Sequence, residues 1–291
     1  MKILVTGAGG MLGHDVVQTL EMQGHEVWGT DVASSEEKLD ITKPDQIRYA
    51  IASFRPEWIV NCAAYTNVDG AEEHEDTAIL LNAKGPEMLS RACRRHSVKL
   101  LHISTDYVFD GEKDTPYSED DPPGPINFYG VSKLAGENAV RHQMTEYLIV
   151  RTQWLIGHHG RNFISTILAA AQVKETLQVV NDQWGSPTFA PDLAKALAHL
   201  MEIDARGIFH VCNRGKTTWY DLASKAIEFV GLGTKVVPVA TSEYPRPARR
   251  PRYSILSTTK FTEKTGKVMP LWQTSLGNHV REYLQHAKGS A

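Results

Sequence analysis

The chain has 291 residues, enough for one large α/β unit or two modest domains that share an interface. Its apolar fraction of 42% and charged fraction of 22% are those of an ordinary globular protein, and a core of that size can hold a buried cofactor cleft. A formal net charge of −3 excludes a global cationic field for nucleic acid or an anionic membrane, so an anionic ligand has to be caught locally.

The first strand is expected at 2–6 (KILVT), at the start of the chain, where a secretory signal would need a longer apolar run and a small-residue cleavage site. No apolar stretch approaches the ~20 residues that span a bilayer. The cysteines, Cys62, Cys93 and Cys212, are odd in number and far apart, which fits buried thiols in a reducing compartment and implies neither a disulfide framework nor a zinc site. These features point to a cytoplasmic protein.

Directly after the first strand comes Gly7-Ala8-Gly9-Gly10-Met11-Leu12-Gly13, opening a helix expected at 12–23. Gly7, Gly10 and Gly13 give a GxxGxxG spacing. Glycines let the chain turn tightly and let its backbone approach a pyrophosphate, while the helix start offers free N–H groups to phosphates. Met11 and Leu12 belong to the same turn. A second strand at 25–30 ends at Asp31, where a carboxylate accepts hydrogen bonds from ribose hydroxyls and repels a 2′-phosphate, which favours NADH. Asp40 and Ile41 are candidates for contact with adenine, with a capping role as the rival for Asp40. A helix at 44–54 and a strand at 58–62 follow. Small residues after that strand, Ala63 and Ala64 with Tyr65, let the backbone lie against the cofactor.

Helices are expected at 71–83 and 86–96, a strand at 98–104, a helix at 128–143 and a strand at 147–151. The acidic run 72–76 reads as a solvated helix face, with Glu72 free to brace the preceding loop, and Asn82 as a brace for a neighbouring loop. Near-continuous apolar strands alternating with helices predict an α/β fold with a doubly wound parallel sheet of the Rossmann type, ligands lying at the carboxyl ends of its strands. Ser104-Thr105-Asp106 ends one strand and Tyr129-Gly130-Val131-Ser132-Lys133 opens a helix. Tyrosine and lysine at i and i+4 share a helical face. An ammonium beside a phenol is expected to lower the phenol's pKa from ~10, so that it exchanges a proton near neutrality. Thr105, on the adjacent strand end, can bond the same substrate oxygen. Together these residues suit carbonyl reduction, with a hydride from nicotinamide and a proton from Tyr129.

Beyond residue 152 the pattern loosens. Helices are expected at 162–173, 191–202 and 217–231, a strand at 208–212, an irregular arm at 238–254 rich in Pro and Arg, and a frayed tail at 287–291. Within the arm, Arg246, Arg249, Arg250 and Arg252 are candidates to grip a diphosphate, since planar guanidinium suits phosphate; Arg252 is carried forward. His158 and His159 read as exposed loop residues rather than ligands.

The glycine loop, Asn61-Cys62-Ala63-Ala64 and the Tyr129/Lys133 spacing resemble the extended short-chain dehydrogenase/reductases. A finer resemblance is to the dTDP-4-dehydrorhamnose reductases. It rests on 63–72 (AAYTNVDGAE), 104–111 (STDYVFDG), 127–130 (NFYG), 151–154 (RTQW), 182–188 (DQWGSPT) and 249–254 (RRPRYS), which span nearly the whole chain. The resemblance implies reduction of the 4-keto group of dTDP-4-dehydro-6-deoxy-L-mannose to dTDP-L-rhamnose, for cell-surface polysaccharide. It implies that Tyr129 donates the proton, and that Lys133 binds the nicotinamide ribose and tunes Tyr129. It also implies that Thr105, Asp106 and Trp154 contact the sugar nucleotide, and that NADH or NADPH is the cofactor. It divides the chain into a dinucleotide-binding domain, 1–152, and a substrate lobe, 153–291, with segments at about 177–213 returning to the first domain. Some members hold magnesium between subunits. Asp15 matches one such position, but Pro191 falls on another and cannot chelate through its side chain, so no metal is expected and a homodimer stays open. The rivals are a nucleotide-sugar epimerase or dehydratase, which recycles its nicotinamide, and a non-catalytic NAD(P)-binding regulatory subunit, such as a partner of methionine adenosyltransferase.

Overall fold

A computed structural model of the chain describes residues 1–34 and 38–289. Strands β1 (Lys2–Thr6), β2 (Glu26–Thr30), β3 (Trp58–Asn61), β4 (Lys99–Thr105) and β5 (Tyr147–Thr152) join Gly207–His210 in one six-stranded sheet. The order is Gly207–His210, β5, β4, β3, β1, β2, and every pairing is parallel. This is the doubly wound α/β sheet expected from the strand–helix alternation. Successive side chains alternate faces. Ile3, Val5, Val60, Leu101, Leu148 and Val150 pack with helices α1 (Met11–Met22) and Ala190–Glu202 on one side. Leu4, Ile59, Leu100 and Ile149 pack on the other, against α2 (Pro44–Phe54), Gly85–His96 and Phe128–Gln143. Both faces are buried, which explains why these strands read as continuous apolar runs. The order reverses between β1 and β3, and a crevice opens there at the carboxyl ends.

The helix expected at 71–83 is broken. It runs as Gly70–Glu73, Glu75–Ile79 and a π-turn, Leu80–Lys84, before Gly85–His96 resumes α geometry. Pro86 lacks the N–H that would bond the Asn82 carbonyl four residues back, so the turn widens there. The widened turn presents Asn82, whose amide group bonds the Tyr65 N–H and carbonyl at 2.8 and 3.0 Å and the Ser132 hydroxyl at 2.9 Å.

After β5 the chain builds a second packed body. Phe163–Ala171, Trp219–Val230 and Trp272–Gly289 enclose Ile164, Leu168, Leu222, Ala226, Leu276 and Val280. Thr218 caps the second of these helices and Gly231, at φ 72°, ends it, within the bounds 217–231 expected for that helix. The segment expected to return to the first domain divides: Thr176–Val180 pairs with Lys235–Val239 in a separate ribbon, and the return starts at Ala190. The strand at 235–239 enters the arm expected to be irregular at 238. The helix from Trp272 replaces the frayed tail through Gly289, and the last two positions of that tail lie outside the described residues. His158 and His159 are not loose. His158 pairs with Glu282 at 2.8 Å and stacks on His279, while His159 stacks on His14 of α1.

Candidate active site

A cavity of about 580 Å³ lies at the carboxyl ends of the strands and reaches into the second body. Gly7, Gly10, Met11, Leu12 and Gly13 form one end of it. Gly7 has φ +71°, and a Cβ there would stand 2.7 Å from the Ala63 nitrogen; a Cβ on Gly13 would overlap the Gly7 carbonyl. Glycine at position 7 lets the loop pass close to the chain leaving β3, and glycine at position 13 lets the helix start pack against the loop itself. No side chain caps α1, whose N-cap is Gly10. Its first-turn N–H groups therefore face the cavity as an anion cradle, and a dinucleotide's pyrophosphate fits this loop.

Asp31 borders the same cavity. Its carboxylate accepts from the Gly9 N–H at 3.1 Å and the Ala33 N–H at 3.0 Å, which fixes its direction. Ile41, Ala63 and Ala64 also line the wall. Asp40 and Tyr65 do not. The Asp40 carboxylate is occupied by the Thr42 N–H and hydroxyl at 2.8 and 2.7 Å, so it shapes the turn before α2. Tyr65 is held through its backbone by Asn82.

Thr105, Asp106, Tyr129 and Lys133 meet in the middle of the cavity. Two caps fix the helix that carries Tyr129 and Lys133: the Asn127 side chain accepts from the Gly130 N–H at 2.8 Å, and Glu72 accepts from the Phe128 N–H at 2.8 Å. Glu72 thus leaves the solvated face on which its neighbours lie. Lys133, 3% exposed, donates to the Ile103 carbonyl at 2.6 Å. Burial pushes its pKa down to about 8, against the charge of Glu137. The expected lowering of the Tyr129 pKa is not found. Burial and then the Asp106 carboxylate push the phenol above its ordinary value, against the Thr105 hydroxyl. Tyr129 therefore holds its proton, which is the state a proton donor needs. Asp106 is pushed up to about 7 by burial, against hydrogen bonds from Ser254 and Thr105.

Beneath these groups lies a network the sequence reading did not single out. Arg151 on β5 donates from Nε and a terminal nitrogen to Glu137 at 2.8 and 2.7 Å, and the Ser104 hydroxyl donates to Glu137 at 2.5 Å. Both charged side chains are at most 2% exposed. The signal was available: Arg151 is a charge inside an apolar strand, and Glu137 follows Lys133 by one helical turn. Removing one partner of such a pair costs about 3–5 kcal/mol.

The far wall comes from the second body. Trp154 sits at φ +45°, and its ring stacks on Trp219 at 3.5 Å, close above Gly185. Arg161 and Asn162 line the same wall. Arg252 is exposed and does not reach the cavity; its carbonyl accepts from the Trp184 N–H at 2.8 Å. Arg250 and Arg246 face Asp69 at 2.9 and 3.5 Å. Among the described residues, Arg161 is the arginine that borders the cavity. Nothing in its sequence neighbourhood marked it, and Trp219 is brought to Trp154 only by the fold.

The family model for the RmlD substrate binding domain matches residues 1–285. The chain belongs to this family. It is similar to the dTDP-4-keto-6-deoxy-D-glucose reductase of Streptomyces niveus, 42% identical over 94% of each chain. It is also similar to a crystal structure of a dTDP-4-dehydrorhamnose reductase from Clostridium acetobutylicum, 40% identical with TM-score 0.93 over 98% of this chain and 100% of the other. A dTDP-4-dehydrorhamnose reductase from Bacillus anthracis, solved in complex with NADP, is 37% identical with TM-score 0.93 over 97% and 99%. Among the described residues no helix is long and apolar enough to cross a membrane.

Proposed function

We propose that this protein is an NAD(P)H-dependent reductase acting in the cytoplasm, which reduces the 4-keto group of dTDP-4-dehydro-6-deoxy-L-mannose to dTDP-L-rhamnose. The observation that carries this reading is a single cavity with a glycine-rich anion cradle at one end and Thr105, Tyr129 and Lys133 at its middle. Relatives that match almost end to end reduce 4-keto groups of dTDP-linked 6-deoxy sugars, by their names, and one binds NADP.

Residues 1–152 hold the dinucleotide and 153–291 supply the sugar side, with the segment from Ala190 to His210 returning to brace the sheet. Gly7, Gly10 and Gly13, with the N–H groups of Met11 and Leu12, hold the pyrophosphate. Asp31 meets the adenosine ribose, and Ala63 and Ala64 let the cofactor lie flat on β3. The bound nicotinamide supplies a hydride to the ketone carbon. The protein's own residues do the rest. Thr105 and Tyr129 bind the ketone oxygen and polarise it. The phenol proton passes to that oxygen as it becomes a hydroxyl. Lys133 stabilises the phenolate left behind and holds the nicotinamide ribose. Trp154 on Trp219 forms a flat apolar wall for the sugar, and Asp106 orients it.

The test is oxidation of NADH or NADPH with the dTDP-linked 4-keto sugar. One reduced nicotinamide consumed per sugar reduced is the expected outcome. Turnover without net consumption would mean an epimerase or dehydratase, and no turnover by folded, cofactor-binding protein would refute the substrate. Tyr129→Phe is expected to lower kcat by about 10²–10⁴-fold while leaving cofactor binding intact. Full biological activity of that variant would instead mark a binding subunit.

A further inference from the structure

We propose that Glu137 is a positioning residue of the reducing site: locked between Arg151 and Ser104, it keeps the Lys133 side chain charged and hydrogen-bonded to β4. The inference rests on the role of Lys133 given above.

The geometry is specific. Glu137 stands one helical turn after Lys133, and its carboxylate takes three donors, two from Arg151 and one from Ser104. Those donors come from β5 and β4, the strands that end in Thr152 and Thr105. One carboxylate thus ties together the three elements that carry Thr105, Thr152, Tyr129 and Lys133. A buried ion pair adds little net stability compared with apolar residues of the same volume. Its place under the reacting groups gives it another task.

The groups around Lys133 point to that task. On its own helix are Tyr129 one turn back and Glu137 one turn on. On the end of β3 lies Cys62, whose thiol burial pushes up to about 12, so it is neutral. On β4 lies His102, held neutral by burial and by Lys133 itself. Asp106, after β4, acts on Tyr129. Burial drives the Lys133 ammonium toward its neutral form, and Glu137 is the foremost group opposing that. Arg151 is joined by His210 and Phe109 besides Glu137.

The experiment uses the full chain in two variants, Glu137→Gln and the paired Glu137→Leu/Arg151→Met, which removes the charges and refills the core. The amine state of Lys133 is read without cofactor, from the pH dependence of its acetylation by acetic anhydride, by mass spectrometry. Losing the carboxylate should lower the midpoint by about one unit and so raise labelling at neutral pH about five-fold. The alkaline limb of kcat/KM should move down in both variants, by less in the paired one, which also loses the opposing Arg151 charge. A merely structural role predicts that the paired variant, refolded to wild-type melting temperature, labels like wild type, and that result overturns the proposal. Shifted labelling with no reduction by wild type would sink the reductase reading and leave this inference standing.

Discussion

Asp106 shows how one buried side chain sets the chemistry of its neighbour. Its carboxyl, 2% exposed, is pushed up to about 7 by burial, and its charge raises the Tyr129 phenol. Below about pH 7 it is neutral and Tyr129 gives up its proton more easily; above, the carboxylate forms and the phenol becomes a weaker acid. We expect kcat/KM for ketone reduction to fall as pH rises through about 7, ahead of the separate loss of Lys133 charge near 8. Asp106→Asn should erase the lower inflection and keep the upper one. An unchanged pH–rate profile would contradict this assignment. The same residue shows where spacing misleads. Tyr129 and Lys133 at i and i+4 suggest a phenol with a lowered pKa. The pair is where the sequence put it, but burial and the Asp106 carboxylate raise the phenol, and the ammonium is turned to the Ile103 carbonyl.

Among the elements, the helix Phe128–Gln143 carries the most consequence. Its Gly136 lies against the π-turn, and a Cβ there would overlap the Asn82 carbonyl oxygen. That oxygen belongs to backbone, which cannot swing aside. Gly136→Ala should therefore push the helix off the turn and displace Ser132 from Asn82, costing about 1–3 kcal/mol as other overpacked cores do. Thermal unfolding would show it as a fall of about 2–4 °C for each kcal/mol in a chain of this size. A melting temperature equal to wild type would mean that the turn yields. The π-turn was invisible to periodicity, since five residues differ little from a helical turn in pattern. Pro86 was the clue, as the missing donor that lets the turn widen.

For the whole molecule, buried histidines set the response to acid. Burial pushes His210 down to about 3 and His279 to about 4, and holds His102 well below its ordinary value. Unfolded, each takes a proton near the ordinary histidine value of 6.5. The unfolded chain then binds more protons than the folded one, so stability present above about pH 6.5 is lost as pH falls toward about 4. Asp106, Asp15 and Glu119 work the other way, because burial raises their pKa values and so favours the folded state in acid, but of these only Asp106 is shifted as far as the histidines. The melting temperature should drop between about pH 7 and pH 5, and His210→Asn should flatten the slope. A melting temperature that rises on acidification would show that the raised carboxyls dominate.

What the amino-acid order alone determined is local or periodic. The alternation of apolar strands and helices, the glycine turn after β1 and the caps at Thr218 and Gly231 are set by neighbours within a few residues, and the structure keeps them. The grouping of Thr105, Asp106, Tyr129 and Lys133 was legible too, because strand ends and a helix start in a doubly wound fold share one rim. What only tertiary structure decided depends on distant pairs. Trp219 reaches Trp154, and Arg161 reaches the cavity while Arg252 does not, because the second body packs on the first across segments far apart in sequence. Whether a charge is solvated or buried is likewise a property of the assembled fold. Burial decides that Glu137 and Arg151 become a locked pair, that Asp106 titrates near neutrality while Tyr129 holds its proton, and that Lys133 needs a carboxylate beneath it.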